Sequence, residues 1–205
     1  GESLEELLYD LVQKALRDAQ LKIDDIDGIV VASNDQFDGR AISVMAASGS
    51  VGGVDRDILS TPSASDHAFV MGVLRVATGQ YRTQLIVSWS PTEAHSLAEA
   101  QRLAADPYFH RRLPLDDMAS FSLQASALTG KVAGVEKLAA DFNASRGPSG
   151  QYQAKRSLIS DGMASAPVTG AVAMIVADAD FIASHPNTKV AWLRGRGWAT
   201  ETGFM

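Results

Sequence analysis

The chain contains no cysteine in 205 residues. That excludes disulfides, thiolate metal sites and a cysteine nucleophile supplied by this chain. Apolar runs are short, and none approaches the ~20 residues of a membrane-crossing helix. No secretory leader is legible, because the chain opens directly into a helical pattern. The expectation is a cytoplasmic protein with no membrane partner. Basic charge is also sparse: 18 Lys and Arg against 24 Asp and Glu leave a net charge of −6. The basic residues are scattered apart from Arg111-Arg112, which argues against a nucleic-acid partner but leaves room for a local phosphate site. No His, Asp or Glu set has metal-ligand spacing, so no metal is expected. Asp24-Asp25-Ile26-Asp27 is too short for a calcium loop and reads as an exposed turn. Gly49-Ser50-Val51-Gly52-Gly53 lacks the Lys-Ser/Thr that completes a phosphate loop.

What is present is an ordinary globular composition, 46% apolar and 20% charged, with enough length for one sizeable core or part of a larger fold. Ser3-Leu4-Glu5-Glu6 reads as a capping box. Leu4, Leu7, Leu8, Leu11, Val12, Ala15, Leu16 and Ala19 then recur at helical spacing. Gly28-Ile29-Val30-Val31-Ala32 is a continuously apolar strand, as in a sheet covered on both faces. A small-residue helix is expected from about Arg40 to Ser48. A strand follows over Asp57 to Thr61, then a helix from Ser65 to Thr78 closed by Gly79. The next strand is Gln84 to Trp89. Alternating helices and strands imply an α/β fold with a mostly parallel, covered sheet.

From Pro91 the pattern changes. Thr92 to Ala105, Met118 to Thr129 and Val132 to Ala144 read as helices, and Ser145 to Ala166 as a long loop. Val168 to Ala177 and Val190 to Gly195 return to strand character. The expected organisation is a core of residues 1–90 and 164–205 carrying an inserted helical and loop subdomain over 91–163. Trp89, Trp192 and Trp198 all stand near strands, and two at a strand's end suggest packing at an edge or an interface. The chain starts at a helix where such a domain normally offers a strand, so trimmed ends or a second chain completing the sheet are expected.

One stretch carries the chemical interest: Leu59-Ser60-Thr61-Pro62-Ser63-Ala64-Ser65-Asp66-His67. It reads as the end of a buried strand, a tight turn of small residues and a helix opening with polar groups. Such a turn presents side chains and backbone N–H groups at the positive end of a helix. Ser63 with His67 forms a candidate nucleophile and base. A serine hydroxyl needs that neighbouring base. The plain alternative is that Ser63 and Ser65 cap the helix.

The order of these elements resembles the N-terminal half of the thiolase superfamily, in the branch related to sterol-carrier-protein thiolases. Asp25-Ile26-Asp27-Gly28-Ile29-Val30-Val31 resembles the first crossover into a central strand. Ser63-Ala64-Ser65-Asp66 stands where that family has Cys-Ala-Ser-Gly. Gly79 followed by Leu85 to Trp89, and Gly170 to Ala177, are similar to its next helix end and strands. The resemblance implies a thiolase-like half-fold, an acyl-CoA or CoA substrate in lipid metabolism, and no bound cofactor. Ser63 replaces the family's nucleophilic cysteine and Asp66 its glycine, so the family's thiol chemistry does not carry over.

Two enzymatic versions follow from the resemblance. In one, a second thiolase-like or small accessory subunit brings the missing cysteine or histidine. In the other, the complex is a retro-aldolase that needs a base and an oxyanion site at Ser65 and Asp66, but no thiol. Tyrosine acid/base groups serve some family members that way, and Tyr108 and Tyr152 lie in the insert. Packing with a wet hydroxyl is the plain reading of both. His110, Arg111 and Arg112 lie where the family's loop domain meets CoA; a solvated turn is their plain reading. The rival from a different class is a non-catalytic structural or dimerisation subunit. A third is an unrelated doubly wound domain that binds a small ligand at the carboxyl ends of its strands.

Overall fold

The computed structural model describes residues 3–35, 42–61, 65–90, 105–108, 112–113, 116–146, 159, 169–186, 188–195 and 197. The chain divides into two compact units. One is Gly1–His95 with Val168–Gly195; the other is Ser96–Pro167 with Arg196–Met205.

The first unit opens with helix α1, Leu4–Ala19. Ser3 Oγ accepts the Glu6 N–H at 3.2 Å and the Glu6 carboxylate accepts the Ser3 N–H at 2.9 Å. This reciprocal cap satisfies two amides that the helix itself cannot. Gln20, in the left-handed region with φ 57°, ends it. Leu8, Val12 and Leu16 recur every four residues and are buried as one stripe.

Four strands form one sheet: β1 Gly28–Ala32, β2 Asp57–Thr61, β3 Thr83–Ser90 and β4 Gly170–Ala177. Their order is β2-β1-β3-β4. β1 runs parallel to β2 and β3, and β4 runs antiparallel to β3. The fold is therefore α/β with a mostly parallel sheet. The α1 stripe packs with Ile29, Val31, Leu85, Val87 and Trp89 on one face. Val30, Ala32 and Ile86 face the other way and pack with Ala68 of helix α3, Ser65–Ala77. Burying each such large aliphatic side chain contributes about 1.5–3 kcal/mol. Both faces of the central strands are thus covered, which is why β1 carries no polar residue.

A short helix α2, Ser43–Ala47, stands between β1 and β2. It is shorter than the pattern from Arg40 predicts, and residues 40–41 lie outside the described ones. β2 departs from expectation too. It lies at the end of the sheet order, and Asp57 and Ser60 are exposed, so it is an edge strand, not a buried one. Residues 190–195 form no strand: they are exposed and without regular structure. Trp89 belongs to the core and not to an edge, whereas Trp192 is 58% exposed; Trp198 lies outside the described residues. After β4 comes a short helix α6, Ala179–Ala183, capped by Asp178, whose carboxylate accepts the Phe181 N–H.

The second unit contains α4, Asp117–Thr129, and α5, Val135–Arg146. Asp116 caps α4 by accepting the Ala119 N–H at 2.9 Å. Phe121, Leu123, Leu128 and Leu138 are exposed. The helix expected over Thr92 to Ala105 and most of the loop over Ser145 to Ala166 lie outside the described residues.

Two contacts fix α3 on the sheet. At its middle, a Cβ built on Gly72 would stand 2.6 Å from Ile86 Cδ1 and 2.7 Å from Ile86 Cγ1. Only a glycine admits this approach. At its C-terminal end, Arg75 Nη2 donates to Asp57 Oδ2 at 2.5 Å, and the Tyr81 hydroxyl donates to the same oxygen. The Arg75 guanidinium also lies 4.2 Å from the Tyr81 ring centroid. Gly79, with φ +76°, then turns the chain toward β3. Nearby, the β1 and β3 entries are laced together. Asp27 accepts the Thr83 N–H at 3.1 Å, and the Thr83 hydroxyl accepts the Asp27 N–H at 2.9 Å and donates to the Asp25 carbonyl at 2.7 Å.

Two expectations follow for stability. Gly72→Ala destabilises the chain by about 1–3 kcal/mol in urea unfolding, because overpacking at Ile86 outweighs the gain in helix propensity. In an Ile86→Ala background the same substitution costs less. The Tyr81 hydroxyl, and then Arg75, hold the Asp57 carboxyl below its ordinary value of 3.8. A carboxyl lowered in the folded state stabilises the fold above its unfolded pKa, and that contribution disappears as pH falls through the folded value. Tyr81→Phe therefore raises the Asp57 pKa, read by carboxyl NMR titration, and its stability deficit shrinks as the solution is acidified.

Candidate functional site at the carboxyl edge of the sheet

Because β2, β1 and β3 run parallel, their carboxyl ends lie along one edge. Side-chain and backbone groups that follow such strands converge there, which is where open α/β sheets bind ligands. Three segments leave this edge: Ser33, Asn34 and Asp35 after β1, the turn into α3 after β2, and the end of β3 at Trp89 and Ser90.

Three residues separate the end of β2 from the start of α3. Its first turn holds Ser65, Asp66 and His67. Ser65 and Asp66 are exposed, and His67 is half-buried. The Asp66 carboxylate accepts the His67 N–H at 2.8 Å. A carboxylate in the first turn is favourable against the helix dipole. It also occupies one of the amide donors that the helix start offers. Ser63, the candidate nucleophile, lies outside the described residues.

The β1 exit is tied to α2. Asp35 Oδ1 accepts the Ser43 N–H at 2.9 Å. That bond is the main reason the Asp35 carboxyl sits below its ordinary value. These residues carried no sequence motif. Their convergence comes from the parallel register and from a contact eight residues apart, neither of which periodicity reveals.

The remaining sequence candidates belong to the second unit. Tyr108 is 82% exposed, and its N–H donates to the Asp106 carboxylate at 2.9 Å. Arg112 is exposed. His110, Arg111 and Tyr152 lie outside the described residues. Among the described residues no group of three or more His, Asp or Glu side chains is placed to hold a metal ion. No helix among them is long and apolar enough to cross a membrane.

The most concentrated polar cluster, Asp57–Arg75–Tyr81, sits at the opposite, amino end of the parallel strands. Asp57 begins β2 and Tyr81 precedes β3. That position suits a brace, not a ligand crevice. A second concavity, about 650 Å³, lies beside α3, β4 and α6. Phe69, Val73, Met174, Val176, Phe181 and Trp192 line it. His185 is held there by its Nδ1 contact of 2.9 Å with the Phe181 carbonyl and by stacking on the Phe181 ring at 4.3 Å.

No family model matches the sequence. No curated protein matches it either. Among solved structures, the chain is similar to 3-oxoacyl-[acyl-carrier-protein] synthase III from Aquifex aeolicus VF5. The similarity covers 43% of this chain and 30% of that one, at 14% sequence identity and a TM-score of 0.38.

Proposed function

We propose that this chain is a thiolase-like subunit of a heteromeric acyl-CoA enzyme that makes or breaks a carbon–carbon bond next to a thioester carbonyl. The observation that carries the reading is the β2–turn–α3 unit. It brings a helix start, with a half-buried histidine in its first turn, to the carboxyl edge of a parallel sheet. The thiolase-like motifs of the sequence fall on the same elements: β1, the turn into α3, β3 and β4.

The chain has no thiol, so the chemistry takes one of two forms. In the acyl-transfer form, a partner subunit supplies the cysteine nucleophile. In the cleavage form, a base removes the proton of a β-hydroxyl. The Cα–Cβ bond then breaks, the β-carbon leaves as a carbonyl, and the electron pair becomes a thioester enolate that is protonated at Cα. His67 is the proposed proton acceptor, beside Ser63, and the amides of the first turn of α3, at Ser65 and Asp66, hold the developing oxyanion. Tyr108, His110, Arg111, Arg112 and Tyr152 are proposed to meet CoA. Arginine forks suit its phosphates. The substrate is a CoA thioester of lipid metabolism, the setting is cytoplasmic, and the organisation is a core with an insert over 91–163.

A structural or dimerisation subunit is the second reading. Val190, Trp192 and Leu193 favour it, since all three are exposed beside an apolar concavity. Such aromatic and aliphatic groups are typical of the core of an interface.

One experiment separates these readings. The chain is purified with the subunits that accompany it, and cleavage of acyl-CoA thioesters is assayed before and after thiol alkylation. Alkylation cannot touch this chain. Activity that survives supports the cleavage form, and activity that vanishes places the nucleophile on the partner. His67→Ala in the assembled complex is expected to lower turnover by about a hundredfold or more, the scale of one lost general acid or base. Unchanged turnover would leave the structural reading standing.

A further inference from the structure

We infer that the concavity beside α3, β4 and α6 is a binding site for a small amphiphile: a single alkyl chain that ends in a free carboxylate. The inference is independent of the proposed reaction, since Ser65, Asp66 and His67 do not line this concavity.

All of its lining residues belong to the first unit, so the site is built within one compact body. Its volume, about 650 Å³, falls in the range of small-molecule pockets. α3 supplies Phe69, Val73 and Val76, at i, i+4 and i+7, which is one face of the helix. From Phe69 to the end of α3 that wall runs about 12 Å. β4 supplies Met174 and Val176. Val190, Trp192 and Leu193 also line the concavity, yet they are 42%, 58% and 52% exposed. An alkyl chain laid there removes that apolar surface from water.

The polar groups of the lining gather in one short stretch after α6: His185, Thr188 and Lys189. This stretch is braced. The Thr188 N–H donates to the His185 carbonyl at 3.1 Å, and the Thr188 hydroxyl donates to the Ala19 carbonyl at 3.1 Å. The His185 N–H donates to the Ile182 carbonyl at 2.9 Å, and its ring is held by the Phe181 carbonyl and ring. The Lys189 ammonium, beside this brace, has no ion-pair partner among the described residues.

No Asp or Glu stands among the lining residues, although the chain carries 24 of them against 18 Lys and Arg. Asp178, which caps α6, is taken up by the Phe181 N–H and by Arg82 at 3.6 Å. The concavity thus offers apolar walls and one unpaired positive charge. One ammonium matches one carboxylate, whereas the several phosphates of a nucleotide call for more cations. A covering subunit fits less well. Interface cores are poor in lysine, and an ammonium sealed under one loses its water without gaining a partner.

The test is calorimetric titration of the full chain with decanoate, decanol and decyltrimethylammonium, each below its micelle concentration. One decanoate is expected per chain, bound about tenfold or more tighter than either other amphiphile, the scale of one charge-assisted hydrogen bond. Lys189→Glu is expected to abolish that preference while decanol affinity stays within about twofold. Trp192→Ala is expected to weaken decanoate and decanol alike, about fivefold, because the ring no longer covers the chain. Both substituted residues are exposed, so the fold tolerates the changes. Absence of saturable decanoate binding, equal affinity for the anionic and cationic chains, or decanoate binding indifferent to Lys189→Glu overturns the inference. So does self-association through this face, seen in sedimentation as an oligomer that Trp192→Ala dissolves and decanoate does not.

Discussion

The position of α3 depends on one close approach, that of Gly72 to the Ile86 side chain in the middle of β3. A helix axis normally stands about 10 Å from a sheet face, as set by the side chains between them. Here one of those side chains is missing by necessity, and the Ile86 branch fills the gap. Because α3 is rigid, fixing its middle also fixes the point at which its first turn meets the carboxyl edge. The placement of Asp66 and His67 is thus decided about one and a half turns away from them.

The two ends of the sheet are built differently, and the difference follows from strand direction. At the amino end, charged and polar groups are consumed by one another. Asp57 is shared between Arg75 and Tyr81, Asp27 grips the amides of Arg82 and Thr83, and Arg56 donates to the Ile26, Gly52 and Val54 carbonyls and to Asp24. Such closed sets hold loops in place and leave little for a ligand. At the carboxyl end, two bonds among the described residues hold the segments that leave the strands. Asp35 fixes α2, and Asp66 holds the amide of His67.

Much of the fold was legible because it is written in local patterns. The Ser3–Glu6 box and the Leu8–Val12–Leu16 stripe define α1, and the unbroken apolar run of β1 announces a strand covered on both faces. Gly79 marks the end of α3 through a positive φ that other residues resist. What failed to be legible depends on partners distant in sequence. Val190 to Gly195 has the apolar content of a strand, but pairing decides strand from coil, and pairing is not a local property. The edge position of β2 and the core position of Trp89 come from the order β2-β1-β3-β4, which no window of sequence contains. At the candidate site, Ser65, Asp66 and His67 were legible from the turn signals before a helical run. The Asp35–Ser43 bond was not, because no periodicity marks a contact between residues eight positions apart.

Asp66 bears on the proposed chemistry as much as the absence of a thiol does. A helix start stabilises one negative charge, and its effect fades within a turn. Asp66 already places a carboxylate there and already takes the His67 amide. A second negative charge at the same spot would face that carboxylate, but Asp66 is exposed, so water weakens the repulsion.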